Sequence, residues 1–527
     1  AADYRHVERT GTVLQGASFG FNALELPRPI DEITQTAELG LQYDGPHHAL
    51  RLGYDGSFYR GRHNALVWDN PYLGPQRGRL APPPDTDAHQ LGVTLQRSFG
   101  AGSAMTIVAT RGLQRQDDEF LPYTINTSPA AAELPRGSLD GNAYTTHLAL
   151  AFATPLGGFS ERLAGARVQF ELRHDERSDK RARTAFPYIV TDQFTSAAAI
   201  TEPFGMRHTQ SVVGGDYDLT PVLRRLPRTQ RLRVSAGWQR DWWTRSFQGR
   251  SEAIEDSGWG EIAWRAARHL DVRLKWGGAN REVQRYADVA LTTAPQNPRL
   301  RQYPIADRER EFAEGQLSWA GPGGLDVVVT GRYSADEYVN SRLGLLASRG
   351  NAATLAAHWA PAGRLTLFAD HAWERREERQ AGSALFSVVD WFATTEDRVR
   401  SASAGLRLGR FGPGIEIELR GFYVRSDGAT HVRGPAIEAL PSLRVRQHGA
   451  ELSAGLRRGP HSLRASVYHE HFDADDYARD GVFAATIPSL LAIGAAAHEY
   501  DALRVTVSWR YAVNDAAAPA AALPDSL

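Results

Sequence analysis

Strict two-residue alternation, sustained beyond the usual length of a globular strand, constrains this chain more than any other feature. Ala166, Val168, Phe170 and Leu172 alternate with Arg167, Gln169, Glu171 and Arg173, so one face is apolar and the other polar or charged. Successive side chains of a strand point to opposite faces, and only a strand separates such a segment cleanly in two. The pattern recurs in Leu232, Val234, Ala236 and Trp238 against Arg231, Arg233, Ser235 and Gln239. It recurs again in Val272, Leu274 and Trp276 against Asp271, Arg273 and Lys275, and in Ile415, Ile417 and Leu419 against Glu416, Glu418 and Arg420. Near the C-terminus, Leu503, Val505, Val507, Trp509 and Tyr511 oppose Arg504, Thr506, Ser508 and Arg510.

A soluble sandwich also alternates, with its apolar face inward. These segments, however, run for about 10 to 15 residues, where globular strands average about 5 or 6. A strand that crosses a membrane needs about 9 to 11. The mean hydropathy of −0.40 fits this reading, because only every second residue of such a strand meets lipid. No run of about 18 apolar residues is present, so a spanning helix is not expected. Aromatic residues gather near strand ends, at Tyr43, Tyr54, Phe58, Tyr59, Trp238, Trp242, Trp243, Trp373, Trp509 and Tyr511, as interfacial girdles require. The expected fold is all-β: one large transmembrane antiparallel β-barrel of a bacterial outer membrane.

The links between strands alternate in length. The stretches 45–47, 99–102, 321–323, 361–363, 410–413 and 458–460 are short and rich in Gly and Pro; 61–86, 116–142, 176–206, 285–309, 377–396, 428–444 and 475–498 are long. Short periplasmic turns and long outer loops are the habit of outer-membrane barrels. Twenty strands are read, the first at 12–24 and the last at 499–511, with 186–190 and 384–392 as candidates for further short pairs. The barrel is expected over 1–511, and 512–527 is expected to be an Ala/Pro-rich tail. The start Ala1-Ala2-Asp3 lacks a basic segment followed by an apolar core, as in a mature exported chain. Nothing ahead of the first strand reads as a plug, so the lumen should hold either water or another polypeptide.

Several chemistries are excluded or weakened. With no cysteine, the chain has no disulfide, no thiolate metal site and no C-x-x-C-H attachment for haem. A net charge of −1 argues against nucleic acid as a partner. No G-x-S-x-G or comparable nucleophile motif appears, so the chain is not read as an enzyme. The run Gly409-Arg410-Phe411-Gly412-Pro413-Gly414 precedes a strand rather than a helix and reads as a turn, not a phosphate loop. Calcium is a weakly supported option at Asp117, Asp118 and Glu119, or at Asp473, Asp475, Asp476 and Asp480; neither set has EF-hand spacing, and solvated loop acid is preferred. His469 and His471 are two apart and share a face, but without further fixed ligands they read as a wet rim rather than a metal site.

The long loops carry a series of motifs. Trp68-Asp69-Asn70-Pro71-Tyr72 comes first, then Gln116-Asp117-Asp118-Glu119-Phe120-Leu121-Pro122-Tyr123-Thr124-Ile125-Asn126. Leu134-Pro135-Arg136-Gly137-Ser138-Leu139-Asp140-Gly141 and Tyr188-Ile189-Val190-Thr191-Asp192 follow. This order, dense from about 48 to 195, resembles the MtrB/PioB family of decahaem-associated outer-membrane proteins. The resemblance rests on Trp68, Asn70, Pro71, Asp117, Asp118, Phe120, Pro122, Tyr123, Asn126, Leu139, Asp140 and Gly141. It implies a barrel of up to about 26 strands. It also implies a periplasmic-side multihaem, decahaem-type c cytochrome inside the barrel and an extracellular multihaem cytochrome as a further partner. The haem would then be carried by the partner and the barrel would act as a sheath for extracellular electron transfer. A C-x-x-C found near the N-terminus of some members is absent here. Arg167, Arg173, Arg231, Arg233, Arg273, Arg420 and Arg504 are the candidates for lining the lumen and touching such a cytochrome; their plainer role is a solvated ladder paired with Glu and Asp. A solute-diffusion porin or specific channel with a water-filled lumen is the alternative from composition alone.

Overall fold

A computed structural model describes residues 2–511, apart from 20–21, 72–75, 129, 131–132, 191–193, 202, 222, 224–226, 228, 247–251, 285–296, 298, 385–387, 412–413, 435–439, 478–489 and 492–498. Twenty long strands dominate it. The first seven are β1 (Ala2–Phe19), β2 (Asn22–Asp44), β3 (His48–Gly61), β4 (Thr86–Ser98), β5 (Ala104–Gln116), β6 (Gly141–Pro155) and β7 (Ala166–Asp179). Next come β8 (Met206–Asp218), β9 (Arg231–Arg245), β10 (Glu252–Ala267), β11 (Leu270–Val283), β12 (Arg308–Ala320), β13 (Leu325–Glu337) and β14 (Leu343–Ala362). The series ends with β15 (Leu365–Gly382), β16 (Trp391–Phe411), β17 (Ile415–Arg433), β18 (Leu443–Arg458), β19 (His461–Asp475) and β20 (Glu499–Tyr511). Each pairs antiparallel with the next, so one sheet runs from β1 to β20 as a meander; two two-residue strands complete it. The even count makes β1 and β20 run in opposite directions.

The number agrees with the sequence reading, and the described residues do not show the larger count that the family resemblance allows. One boundary differs. The expected strand 12–24 straddles a hairpin: its first part belongs to β1 and its last to β2. The reason lies in Pro27 and Pro29, which make 25–33 look like a loop. Both lie in a part of β2 that pairs with β1 alone, since β3 joins only at Glu32. A strand with one free edge tolerates residues without an N–H. The candidate pair at 186–190 is present as a hairpin, Thr184–Val190 with Phe194–Thr201. The one at 384–392 is not a strand before Trp391 among the described residues. The tail 512–527 lies outside the described residues.

The ladders fix which residues share a face. In the row Phe152↔Phe170 and the rows Val234↔Ile262, Ile262↔Leu274 and Leu419↔Leu452, apolar side chains face the same way on neighbouring strands. They stay open to the surroundings: Leu274 is 50% exposed, Trp276 51% and Leu452 51%. In a membrane barrel these residues face hydrocarbon. Each strand contributes about four or five such positions before polar ones begin, about 26 Å along the strand and roughly 20 Å across the bilayer at a 40° tilt. Of the aromatic residues expected in girdles, Tyr59 and Trp243 are on the opposite, polar face; the other eight share the apolar face.

The buried residues cluster at the end of the long loops. Leu24, Ile30, Ala143, Ala253, Ala306, Tyr338, Leu343, Ala347, Ala381 and Ala393 are all there, under loop segments that fold back on the strands. Turns at the other end are tight. Only two residues separate Arg458 from His461, and one of them, Gly459, takes a left-handed φ of 56° that a side chain would resist.

Candidate functional site: the polar face of the barrel

The face opposite the lipid belt lines the lumen. All seven candidate arginines belong to it: Arg167, Arg173, Arg231, Arg233, Arg273, Arg420 and Arg504 alternate with belt residues on their own strands. They do not form one site. Arg231, Arg233 and Arg273 come together at the short-turn end, around an open groove of about 330 Å³. Arg265, Asp218 and Asp271 line the same groove. Arg273 donates to Glu261 at 2.7 Å, Arg233 lies 3.6 Å from Asp216, and Arg265 pairs with Asp271 at 3.0 Å. Asp216 is also directly across from Arg167. Elsewhere Arg173 donates to Asp175 at 2.7 Å, Arg420 reaches the Ser403 hydroxyl at 3.5 Å, and the Arg504 guanidinium stands 4.9 Å over the Tyr468 ring. These partly exposed ion pairs and polar contacts are weak individually. Together they make a wall of fixed donors and acceptors.

Two inward networks were not foreseen from sequence. In the first, Asp241 accepts from His208 Nε2 at 2.7 Å, from Gln210 at 3.0 Å and from Gln239 at 2.6 Å. His208 stacks on Trp243 with ring centroids 3.7 Å apart. In the second, at the outer end, Arg308 donates to both Glu255 oxygens at 2.8 and 2.7 Å. Arg310 binds Asp336 through two bonds of 2.6 and 2.8 Å. Arg281 donates to the backbone oxygens of Ala306 and Tyr303, both at 2.7 Å, pinning the returning loop inward. Tyr338 caps this cluster, and burial followed by the nearby Asp336 charge pushes its phenol up. In sequence, the charges of 308–311 sit on both faces of β12, which hides the alternation that would have marked them.

The loop motif residues prove to be braces. Asp117 accepts from the Ser138 hydroxyl at 2.5 Å and from the Asp140 amide at 3.0 Å, closing the base of the loop between β5 and β6; Asp140 has a φ of 45°. Asp118 accepts from the Asp85 amide at 2.8 Å, joining this loop to the one before β4. Asn126 exchanges two 2.8 Å bonds with the Arg77 backbone, and Arg79 donates to the Pro122 oxygen. Trp68, in a hairpin of Leu66–Asp69 with Arg77–Leu80, lies against Gly78, where a Cβ would come within 2.4 Å of its ring. The Asn70 amide bonds Gln76 at 3.0 Å beside Pro71. Phe120 and Tyr123 meet Phe186 edge-on at 5.6 and 6.4 Å. Leu139 packs where a Cβ on Gly141 would fall, 3.0 Å away. Thr191 and Asp192 lie outside the described residues. The motif thus stitches three outer loops into one cap.

Among the described residues no group of three His, Cys, Asp or Glu side chains suited to a metal occurs; Asp480 lies outside them. Asp117 and Asp118 serve backbone and hydroxyl donors. His469 and His471 share a face as expected, the outward one, and His471 approaches Asp501 at 3.2 Å.

The sequence as a whole, residues 1–513, matches a family model described as outer membrane beta-barrel porin, MtrB/PioB. The chain belongs to the MtrB/PioB family. A relative, outer membrane protein MtrB of Shewanella baltica, is 24% identical over 521 residues, which cover 97% of this chain and 71% of that one. Among solved structures, the FrpB iron transporter of Neisseria meningitidis superposes with a TM-score of 0.55 at 10% identity, covering 96% of this chain and 76% of the transporter. The ferric enterobactin receptor PfeA gives 0.52 at 11%, covering 97% and 80%. At such identity these two support the large outer-membrane barrel and nothing finer. The MtrB/PioB family is one of porin-like barrels in the outer membrane, not a family of enzymes.

Proposed function

We propose that this barrel is the sheath of a transmembrane electron conduit, enclosing and positioning a multihaem c-type cytochrome. The observation that carries the reading is a protein-sized lumen walled by paired arginines and carboxylates. Twenty strands about 4.8 Å apart and tilted about 40° close to a backbone diameter of roughly 40 Å. Barrels of about 22 strands already enclose a folded plug. Membership of the MtrB/PioB family supports the choice of a cytochrome as occupant.

The chain has no cysteine and so carries no c-type haem of its own. The partner's haems supply the redox chemistry. The barrel's residues exclude lipid, limit bulk water and hold the partner in register. Arg231, Arg233, Arg265 and Arg273 line one side of the short-turn mouth, where a periplasmic partner would enter. Planar guanidiniums suit carboxylates, including haem propionates and acidic side chains of the partner. An outer-surface cytochrome would dock on the cap that the loop motif braces.

The test is purification of the barrel from membranes that co-express it with a multihaem cytochrome. The expected result is a coloured complex with a fixed haem-to-barrel ratio through gel filtration. The triple variant Arg231→Gln/Arg233→Gln/Arg273→Gln is expected to lose the cytochrome at lower salt than the parent. A folded barrel that never retains haem contradicts the proposal and favours a solute channel.

A further inference from the structure

The outward face of β15–β18 carries a cationic row that nothing in the lumen reading uses. The ladders put Trp373 opposite Arg400, Arg400 opposite Arg425, and Arg425 opposite Arg446, with Asp473 at the far end. Three guanidiniums thus stand side by side on adjacent strands about 4.8 Å apart. Like charges directly opposite each other are destabilising, so the row is unfavourable unless an anion shares it. One row further out come Arg375, Arg398 and Arg444, with Asp427 among them.

The carboxylates neutralise only the middle of the inner row, through Asp427 on Arg425. Glu396 is held by Arg375 at 2.9 Å and Arg398 at 2.5 Å. Asp427 is held by Arg425 at 2.7 Å and Arg444 at 3.2 Å. Asp473 and Asp475 lie across from Arg446 and Arg444, and Glu377 sits still further out, 3.7 Å from Arg375. Among the described residues, Arg400 and Arg446 have no ion pair, and both are exposed.

Height decides what the row meets. The same outward face runs through Leu406, Leu419 and Leu452 in the belt, then Ala404, Gly421 and Ala450, then Ala402, Tyr423 and His448, and then the arginines. The next outward position is about 7 Å along a strand, so the arginines begin where hydrocarbon ends, on the long-loop side. Headgroups of the outer leaflet lie there.

We infer that the Arg400–Arg425–Arg446 row is a binding site for the phosphates of an outer-leaflet glycolipid of the lipid A type. Guanidiniums bind phosphate oxygens in pairs, and Tyr423 and the leucines beneath would lie along the sugar and acyl chains. The site depends on the membrane placement of the barrel and not on what fills its lumen.

The experiment uses the full chain in detergent, with bisphosphorylated lipid A and its dephosphorylated form as probes, read by native mass spectrometry. The parent barrel should prefer the phosphorylated lipid by about 30-fold, from the two unpaired cations Arg400 and Arg446. Arg400→Gln/Arg425→Gln/Arg446→Gln should abolish that preference. Arg400→Lys/Arg425→Lys/Arg446→Lys should restore part of it, and heat-modifiable migration checks that each variant is folded. Equal binding of the two lipids by the parent barrel, which requires no variant to fold, overturns the inference. Equal binding of phosphatidylglycerol, or displacement of lipid A by millimolar inorganic phosphate, also overturns it, by reducing the row to a general anion surface.

Discussion

Asp336→Ala strikes the ion cluster that pins the outer loop. Asp336 is 9% exposed, accepts two bonds from Arg310 and lies 3.6 Å from Arg308. Without it, Arg281, Arg308 and Arg310 share Glu255 as their nearest remaining carboxylate. Each lost charge-assisted bond is worth about 1.5–3 kcal/mol. The Arg310 side chain is 37% exposed, so water recovers part of the loss. The net is about 3 kcal/mol, or roughly a 150-fold rise in local opening. Hydrogen–deuterium exchange reads this directly at the Tyr338 and Ser341 amides, which bond Leu346 and Tyr338 at 2.9 and 3.1 Å. Peptides covering 299–310 should accelerate with them, while those at the short-turn ends of the same strands should not. A change under about 5-fold, or one spread evenly along β12 and β13, would refute the argument that this cluster holds the loop.

Other expectations follow from faces and braces. Leu274→Arg places a charge near the middle of the lipid belt and should cost about 2–4 kcal/mol in refolding into bilayers, while Gln316→Arg, on the lumen face of the neighbouring strand, should cost under about 1; similar costs would mean the faces are wrongly assigned. Asn126→Ala removes both bonds to the Arg77 backbone and should open the loop cap to protease without lowering the barrel's heat-modifiable stability. Burial pushes the Tyr123 phenol up, and its hydroxyl is buried without a partner. Its contribution is therefore present below the phenol's ordinary value of about 10 and fades as pH rises through the higher folded value. Tyr123→Phe should leave the cap unchanged at neutral pH and less sensitive to alkali, as limited proteolysis against pH would show.

Alternation made the barrel legible because each strand records its own two faces. That is why all seven candidate arginines fell on the polar side. What single strands do not record is register. The arginine row at 400, 425 and 446, and the groove that joins 231, 233 and 273, exist only once neighbouring strands are aligned. The hairpin at the tips of β1 and β2 was missed because Pro27 and Pro29 imitate a loop in a strand with a free edge. The loop motif was visible as a pattern, but the hydrogen bonds its residues make within the cap were not.

Electron transfer across a sealed bilayer tests the sheath most directly. Proteoliposomes enclosing a reduced dye would be exposed to an external ferric acceptor. The dye should oxidise only in vesicles that contain both the barrel and a multihaem cytochrome, and the occupied barrel should block small ions. Vesicles with barrel alone that pass ions freely, and that gain no electron transfer when the cytochrome is supplied during assembly, would contradict the account.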